Sequence, residues 1–289
     1  MVAGPFGISA EDAMSIPRDF QFSQGNLQDY VDCPRRFQLR YILQRAWPAA
    51  QAEPLAEVEH HMEMGQTFHR LVHQHVLGIP ADVLMRTVAD PALGRWWHNY
   101  LTTPPPGLPT ALRRAEVVLS APLGGYRLIA KYDLIAMSPG ERAVIVDWKT
   151  SRRRPTRSAL ERRLQTRLYR YLLVEAGTPL NEGRPISPEQ VEIIYWFADF
   201  PAQPEHFPYD TAQFMADGDY LSGLIAEIEH RDETVWPLTA NERHCRFCHY
   251  RSLCERGVNA GPLDELDDEQ AAPAIDFDVD LEHVAEIAF

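Results

Sequence analysis

The sequence predicts an α/β protein in which a helical N-terminal part leads into a strand-rich centre. Three observations predict it. Apolar residues recur at helical spacing over the N-terminal third; the period then changes to short runs rich in Val, Ile, Leu and Tyr; and helix and strand patterns alternate after that. With 289 residues, 45% of them hydrophobic and 24% charged, the chain can bury a core of ordinary size, which excludes a mainly disordered, collagenous or coiled-coil protein. No apolar run approaches the roughly 18 residues that a membrane span needs. The N-terminus lacks a basic start followed by an apolar block, so a secretory signal is not expected and the cytoplasm is the expected location.

The elements follow in order. Residues 22–45 read as a helix: Ser23 suits an N-cap and Leu27, Tyr30, Phe37, Leu39, Tyr41 and Ile42 form an apolar stripe, interrupted near Cys33-Pro34. A second helix is expected over 57–77, with Met64, Phe68, Leu71, Val72 and His75 at helical spacing, and a third includes 95–101. Four prolines within 102–109 make that segment a loop. The runs 115–121, 126–137 and 141–149, separated by Gly-containing breaks, read as a three-stranded meander. Helix 159–176, strand 191–200, a second strand at 206–209 and helix 211–230 complete the pattern. There is no internal repeat and no phosphate-binding GxxxxGK[ST] loop.

The net charge of −13 argues at first against a nucleic-acid partner. The distribution reverses that reading. Lys149, Arg152, Arg153, Arg154, Arg157, Arg162, Arg163, Arg167 and Arg170 fall in 22 residues with one acid, Glu161. Residues 259–289 hold ten acids and no Lys or Arg, and the rest of the chain is nearly balanced, with 31 acids and 28 bases. A basic segment of this density suits phosphate contact, or else a solvated helix face. The tail could dock on such a surface or simply solubilise the chain.

The chain has four cysteines. Cys245, Cys248 and Cys254 lie close together as CxxC plus a third, and Cys33, followed by Pro34, lies more than 200 residues away. In a reducing compartment such thiols suit a metal or cluster site rather than disulfides. An iron–sulfur cluster, a zinc ion and unrelated thiols are all compatible with the spacing.

Asp147 and Lys149 are two apart on a strand and so share a face. The turn 138–142 pairs Met137 with Ala143 and, if the register continues, sets Asp133 opposite Asp147. Two carboxylates and an ammonium would then meet. A divalent cation with oxygen ligands suits the two acids, and Lys149 could stabilise charge on a phosphate. The alternative is a solvent-facing ion pair. Gln165 and Tyr169 stand at i and i+4 on the next helix, as a further contribution or as an ordinary polar edge. His69 shares its helix with His60, His61, His73 and His75, and spacing alone does not choose a ligand among them. Trp96, Trp97 and Tyr100 could stack on bases, although a core role suits them better.

The order Cys33-Pro, Gly65-x-x-x-His69, Asp133, Asp147-Trp-Lys149-Thr, Gln165-x-x-x-Tyr169 and Cys245-x-x-Cys248-x5-Cys254 resembles the PD-(D/E)XK nucleases of the RecB-like group. The resemblance is strongest to their iron–sulfur branch: AddB-type recombination nuclease domains, CRISPR-associated adaptation nucleases and exonuclease V. It implies a restriction-endonuclease-like core, a central mixed sheet flanked by helices, within a domain spanning about 22–257. That domain would comprise a helical part to about 110, a catalytic core over about 111–230 and a Cys-rich segment at about 240–257, between an extension 1–21 and an acidic tail 258–289. The resemblance further implies Mg²⁺ or Mn²⁺ on His69, Asp133, Asp147 and the Trp148 carbonyl, with Lys149 positioning water. Gln165 and Tyr169 would support the site and contact DNA, and Cys33, Cys245, Cys248 and Cys254 would hold a [4Fe–4S] cluster. Arg152, Arg153, Arg154, Arg157, Arg163 and Arg167 would follow the DNA backbone. The expected activity is metal-dependent hydrolysis of DNA, exonucleolytic at ends or single strands, in repair, recombination or CRISPR adaptation, with a helicase or other repair or adaptation protein as possible partner. The alternative is a catalytically silent DNA-binding or assembly subunit. A zinc-stabilised RNA-binding protein is a third reading.

Overall fold

The computed structural model describes residues 16–45, 55–232 and 234–257. The acidic tail 258–289 and most of the expected extension 1–21 lie outside the described residues. Six strands form one mixed sheet. They are β1 (Gln21–Ser23), β2 (Leu112–Leu123), β3 (Tyr126–Ser138), β4 (Arg142–Lys149), β5 (Val191–Phe197) and β6 (Glu205–Pro208). β3 lies antiparallel to both β2 and β4, β4 runs parallel to β5, and β5 lies antiparallel to β6. β1 pairs in parallel with residues 127–129 of β3, beyond the stretch that β4 occupies. Residues 130–133 of β3 are thus left between the two pairings.

Helices cover both faces, as expected for a mixed α/β core. On one face α1 (Gln24–Asp32), α7 (Leu164–Ala176) and α8 (Thr211–Glu229) send Leu27, Leu168, Leu172, Leu221 and Ile225 against Tyr132, Ile145, Ile193 and Phe197. On the other, α3 (Leu55–Val76) and α5 (Pro91–Thr102), joined through the short α4 (Ala81–Met85), send Phe68, Leu71, Trp96 and Trp97 against Val144, Val146, Trp148 and Trp196. Trp96 and Trp97 are therefore core residues. No helix among the described residues is long and apolar enough to cross a membrane.

Two expected helices are broken, and both breaks matter. Residues 22–45 do not form one helix. Phe22 belongs to β1, Ser23 caps α1 reciprocally with Asn26, and the helix stops at Cys33 because Pro34 has no N–H to continue it. Pro34 then opens the short α2 (Pro34–Phe37), where a missing N–H costs nothing, and one π-turn (Gln38–Ile42) follows. Residues 159–176 split into α6 (Arg157–Arg162) and α7 at Arg163, whose ψ of 138° is extended. This break puts Gln165 in the first turn of α7.

A third departure lies within the meander. In β3, Leu128, Ala130 and Tyr132 face the α7 side, and so do Ile135 and Met137, so the alternation slips at Asp133. In β2, Glu116 has φ of +57°, a left-handed conformation rarely adopted by a side-chain-bearing residue. The pairs Ala115↔Leu134 and Val117↔Tyr132 flank it, so Glu116 stands opposite Asp133 with no ladder pair between them. This break, which inserts no residue in either strand, goes with the change in the direction of the Asp133 side chain. Glu116 itself forms an ion pair with Lys131.

Candidate active site

The expected pairing of Met137 with Ala143 is present, and the β3–β4 ladder runs from Ser138↔Arg142 to Leu134↔Val146. It stops one pair short of Asp133 and Asp147. There the Asp133 side chain substitutes for the strand: its Oδ2 accepts the Trp148 N–H at 2.9 Å. The other oxygen, Oδ1, lies 3.2 Å from His69 Nδ1. α3 delivers His69 by crossing close to the end of β4. A Cβ on Gly65, one helical turn earlier, would lie 3.0 Å from Thr150 Oγ1. Glycine in a helix interior costs about 0.5–1 kcal/mol; here it allows the close approach.

Asp147 and Lys149 share the face covered by α7. Asp147 is 5% exposed. Lys149 Nζ lies 2.9 Å from Asp147 Oδ2, and the Gln165 amide joins the two. Its Nε2 donates to Asp147 Oδ1 at 2.6 Å, and its Oε1 accepts from Lys149 Nζ at 2.9 Å. Asp147 Oδ2 has the ammonium beside it but no donor in hydrogen-bonding alignment. Tyr169, one turn after Gln165, lies under the site: its ring is 4.9 Å from that of Tyr132, whose hydroxyl donates to the Tyr169 carbonyl at 2.9 Å.

The two carboxylates differ in electrostatic state. Burial opposes ionisation of Asp133, but His69, the Trp148 N–H and Lys149 together hold it below the usual carboxylate range. Asp147 is pushed up, first by burial and also by the charge of Asp133, against the pull of Lys149. Burial disfavours the His69 imidazolium, yet Asp133 outweighs this and raises its affinity for a proton. A pair of adjacent carboxylates, one with an oxygen lacking an aligned donor, suits a hard divalent cation. The Trp148 carbonyl lies on the same stretch of β4, while the Trp148 ring packs on Tyr100 and Trp196. His69 and Asp133 engage each other and Asp147 turns to Lys149 and Gln165. Among the described residues no three His, Cys, Asp or Glu side chains converge as a metal-ligand set.

The basic segment is partly turned inward. Arg154 pairs with Glu205 and stacks 5.7 Å over Phe197. Arg157 pairs with the same carboxylate at 2.8 Å and lies 4.3 Å over Phe207. Arg163 is buried, and Arg167 lies 3.5 Å from Asp217, which also faces Arg170. Arg152 and Arg153 are exposed directly beyond Thr150, and Arg157 and Arg162 are exposed as well. The acids that engage the arginines, Glu205 and Asp217, lie some 50 residues away in sequence, which composition along the chain does not reveal. The sequence places Thr150 in the Asp147-Trp-Lys149-Thr motif without assigning it a role and does not single out Tyr195; only the fold places both at this point.

The cysteines lie where the two ends of the described chain meet. Gln38 Nε2 donates to the Thr234 carbonyl at 3.0 Å, and its Oε1 accepts the Trp236 N–H at 3.0 Å. Trp236 stacks on Phe37 at 5.8 Å, and the Tyr250 hydroxyl donates to the Arg45 carbonyl at 3.1 Å. Cys33, Cys245, Cys248 and Cys254 are all free thiols. The charge of Cys33 acts on each of the other three. Burial, reinforced by Cys33 and Cys254, pushes the Cys248 thiol up to about 11. Thiols are soft ligands, and these four come from both ends of the described chain, but they do not converge here as a metal-ligand set.

Residues 21–255 match the family model of the PD-(D/E)XK nuclease superfamily. No curated protein matches the chain. Among solved structures, SSO0001 is similar at 14% identity and a TM-score of 0.37, covering 81% of this chain and 85% of that one. A protein from Eubacterium rectale described as a candidate exonuclease is similar at 9% identity and a TM-score of 0.45, covering 91% of this chain and 96% of that one. The family match spans the mixed sheet, both helical layers, the Asp133–Asp147–Lys149 cluster and the four cysteines, and the chain belongs to the PD-(D/E)XK nuclease superfamily, with its restriction-endonuclease-like fold.

Proposed function

We propose that this protein is a Mg²⁺- or Mn²⁺-dependent deoxyribonuclease that works as an exonuclease on DNA ends or single strands. One observation carries the reading: Asp147, Lys149 and Gln165 close a buried polar triangle beside the Asp133–His69 pair, at the fork where β3 leaves β4. Asp133, Asp147, His69 and the Trp148 carbonyl would hold the ion. When bound, a divalent ion polarises the phosphoryl oxygen and lowers the pKa of coordinated water. The chain's own groups do the rest. Gln165 fixes the Lys149 ammonium beside Asp147, where it orients the attacking water and meets the negative charge that grows on the phosphate. Tyr169 supports Gln165 from the next turn. Arg152 and Arg153 contact the DNA backbone, with little sequence preference because phosphates carry none. Arg154, Arg157, Arg163 and Arg167, anchored within the protein, shape the same surface. We further propose a [4Fe–4S] cluster on Cys33, Cys245, Cys248 and Cys254. Such a cluster joins the chain ends and has a structural role. The RecB-like iron–sulfur branch, and work in repair, recombination or CRISPR adaptation beside a helicase or other partner, are part of the same proposal.

A second reading, a catalytically silent DNA-binding subunit, is favoured by the absence of a converged three-ligand set among the described residues. End-labelled single-stranded and duplex DNA, incubated with Mn²⁺ and either wild type or Lys149→Ala under anaerobic conditions, separates the two. Cleavage by wild type alone supports the nuclease; DNA binding without cleavage by either supports the silent subunit. Brown protein with broad visible absorbance supports the cluster, and a colourless preparation containing zinc overturns it.

A further inference from the structure

Tyr195 lies next to the proposed catalytic triangle. It stands on β5 in register with Asp147, so the two side chains share the α7 face of the sheet. Lys149 Nζ sits 5.6 Å from the centre of its ring. The ring is wholly buried, and Phe207 packs on it at 6.0 Å with the planes at 78°. Its hydroxyl lies 2.7 Å from Thr166 Oγ1, and Thr166 donates to the Leu160 carbonyl at 2.5 Å. Thr166 has one hydroxyl proton and Leu160 offers only an acceptor, so Tyr195 is the donor to Thr166. Thr166 adjoins Gln165. The same turn of α7 thus holds Lys149 through the Gln165 amide and, through Thr166, fixes the ring against which the ammonium rests.

We propose that Tyr195 is a positioning residue: its ring face, anchored by Thr166, sets where the Lys149 ammonium stands, and it acts on catalysis only through Lys149. This rests on the nuclease reading for its kinetic part but not for its structural part. A desolvated cation–π contact is worth up to about 2 kcal/mol, or about 30-fold. Lysine fits this role because its ammonium is a compact point charge on a flexible stem, which a fixed ring can locate.

The chain contains only two lysines, Lys131 and Lys149, so protein labelled with ¹³C on lysine gives two side-chain ε-methylene signals. Lys149→Arg identifies which is which. In wild type the Lys149 signal should be displaced upfield by the Tyr195 ring current. Tyr195→Phe, which keeps the ring but loses the Thr166 anchor, should move it only part of the way, and Tyr195→Leu should return it toward the position of an ordinary lysine. With DNA and Mn²⁺, Tyr195→Leu should lower kcat about 5- to 30-fold with KM unchanged, and Tyr195→Phe should remain within about threefold of wild type. If Tyr195→Leu does not fold, Thr166→Val removes the anchor while keeping the ring, and it must itself move the Lys149 signal. An unmoved Lys149 signal in the folded variant overturns the proposal, as does a Tyr195→Phe defect equal to that of Tyr195→Leu. A displaced signal in a wild type that cleaves no DNA would uphold the positioning and refute the nuclease reading instead.

Discussion

Replacing Gln165 by leucine keeps most of the side-chain volume and removes both halves of the bridge between Asp147 and Lys149. The two lost hydrogen bonds run to charged partners, at 2.6 and 2.9 Å. Bonds of that kind are worth about 1.5–3 kcal/mol each. The ion pair at 2.9 Å remains, so neither charge is left wholly unpaired. We expect the fold to lose about 2 kcal/mol, less than the two bonds summed, because the ion pair can tighten. Catalysis should suffer differently. If the bridge matters mainly when Lys149 meets transition-state charge, one such bond corresponds to about 10- to 150-fold in kcat, with KM little changed. The assay is single-turnover cleavage of an end-labelled strand in saturating Mn²⁺, with folding checked by circular dichroism. Gln165→Glu should be worse, since it places a second carboxylate against Asp147, which burial and Asp133 already hold in the protonation-prone direction. A folded Gln165→Leu protein that cleaves within about twofold of wild type would refute the triangle as the working unit.

Further expectations address the surrounding structure. Glu116→Gly should be tolerated, because glycine takes φ of +57° without strain, whereas Glu116→Val should cost about 1–3 kcal/mol and weaken Mn²⁺ binding by disturbing the break opposite Asp133; thermal melts and Mn²⁺ titration check this. Gln38→Leu leaves the Thr234 carbonyl and the Trp236 N–H without their partner and should destabilise the seam between the chain ends by about 2–4 kcal/mol, read as a lower Tm with activity per folded molecule retained. His69 gains proton affinity from Asp133 on folding, so the pair stabilises the metal-free protein fully below the ordinary histidine value of about 6.5, and the contribution fades as pH rises through the elevated folded value. In EDTA the Tm difference between wild type and His69→Gln should therefore narrow on going upward from about pH 6; a widening gap would contradict the assignment.

Much of this site is legible in the sequence, and for identifiable reasons. A tight turn fixes the register of its flanking strands, so the Met137–Ala143 pairing and the approach of Asp133 to Asp147 follow from local spacing. The 3.6-residue period of α3 places Gly65 and His69 on one face. What the sequence hides is long-range. β1 is three residues long and owes its strand conformation to β3, about a hundred residues later. The break at Arg163 has neither proline nor glycine to mark it. The arginines of 152–170 look like one basic surface until Glu205 and Asp217 arrive from elsewhere in the fold. The Glu116 break falls in a run that reads as one uninterrupted strand, and its effect, turning one carboxylate into the fork, shows only in three dimensions.

The central claim is that Asp133 and Asp147 serve a common divalent ion. Mn²⁺ titration followed by electron paramagnetic resonance tests it directly, comparing wild type with the double variant Asp133→Asn, Asp147→Asn. The account predicts one site in wild type that is lost in the variant; equal binding by both proteins would contradict it.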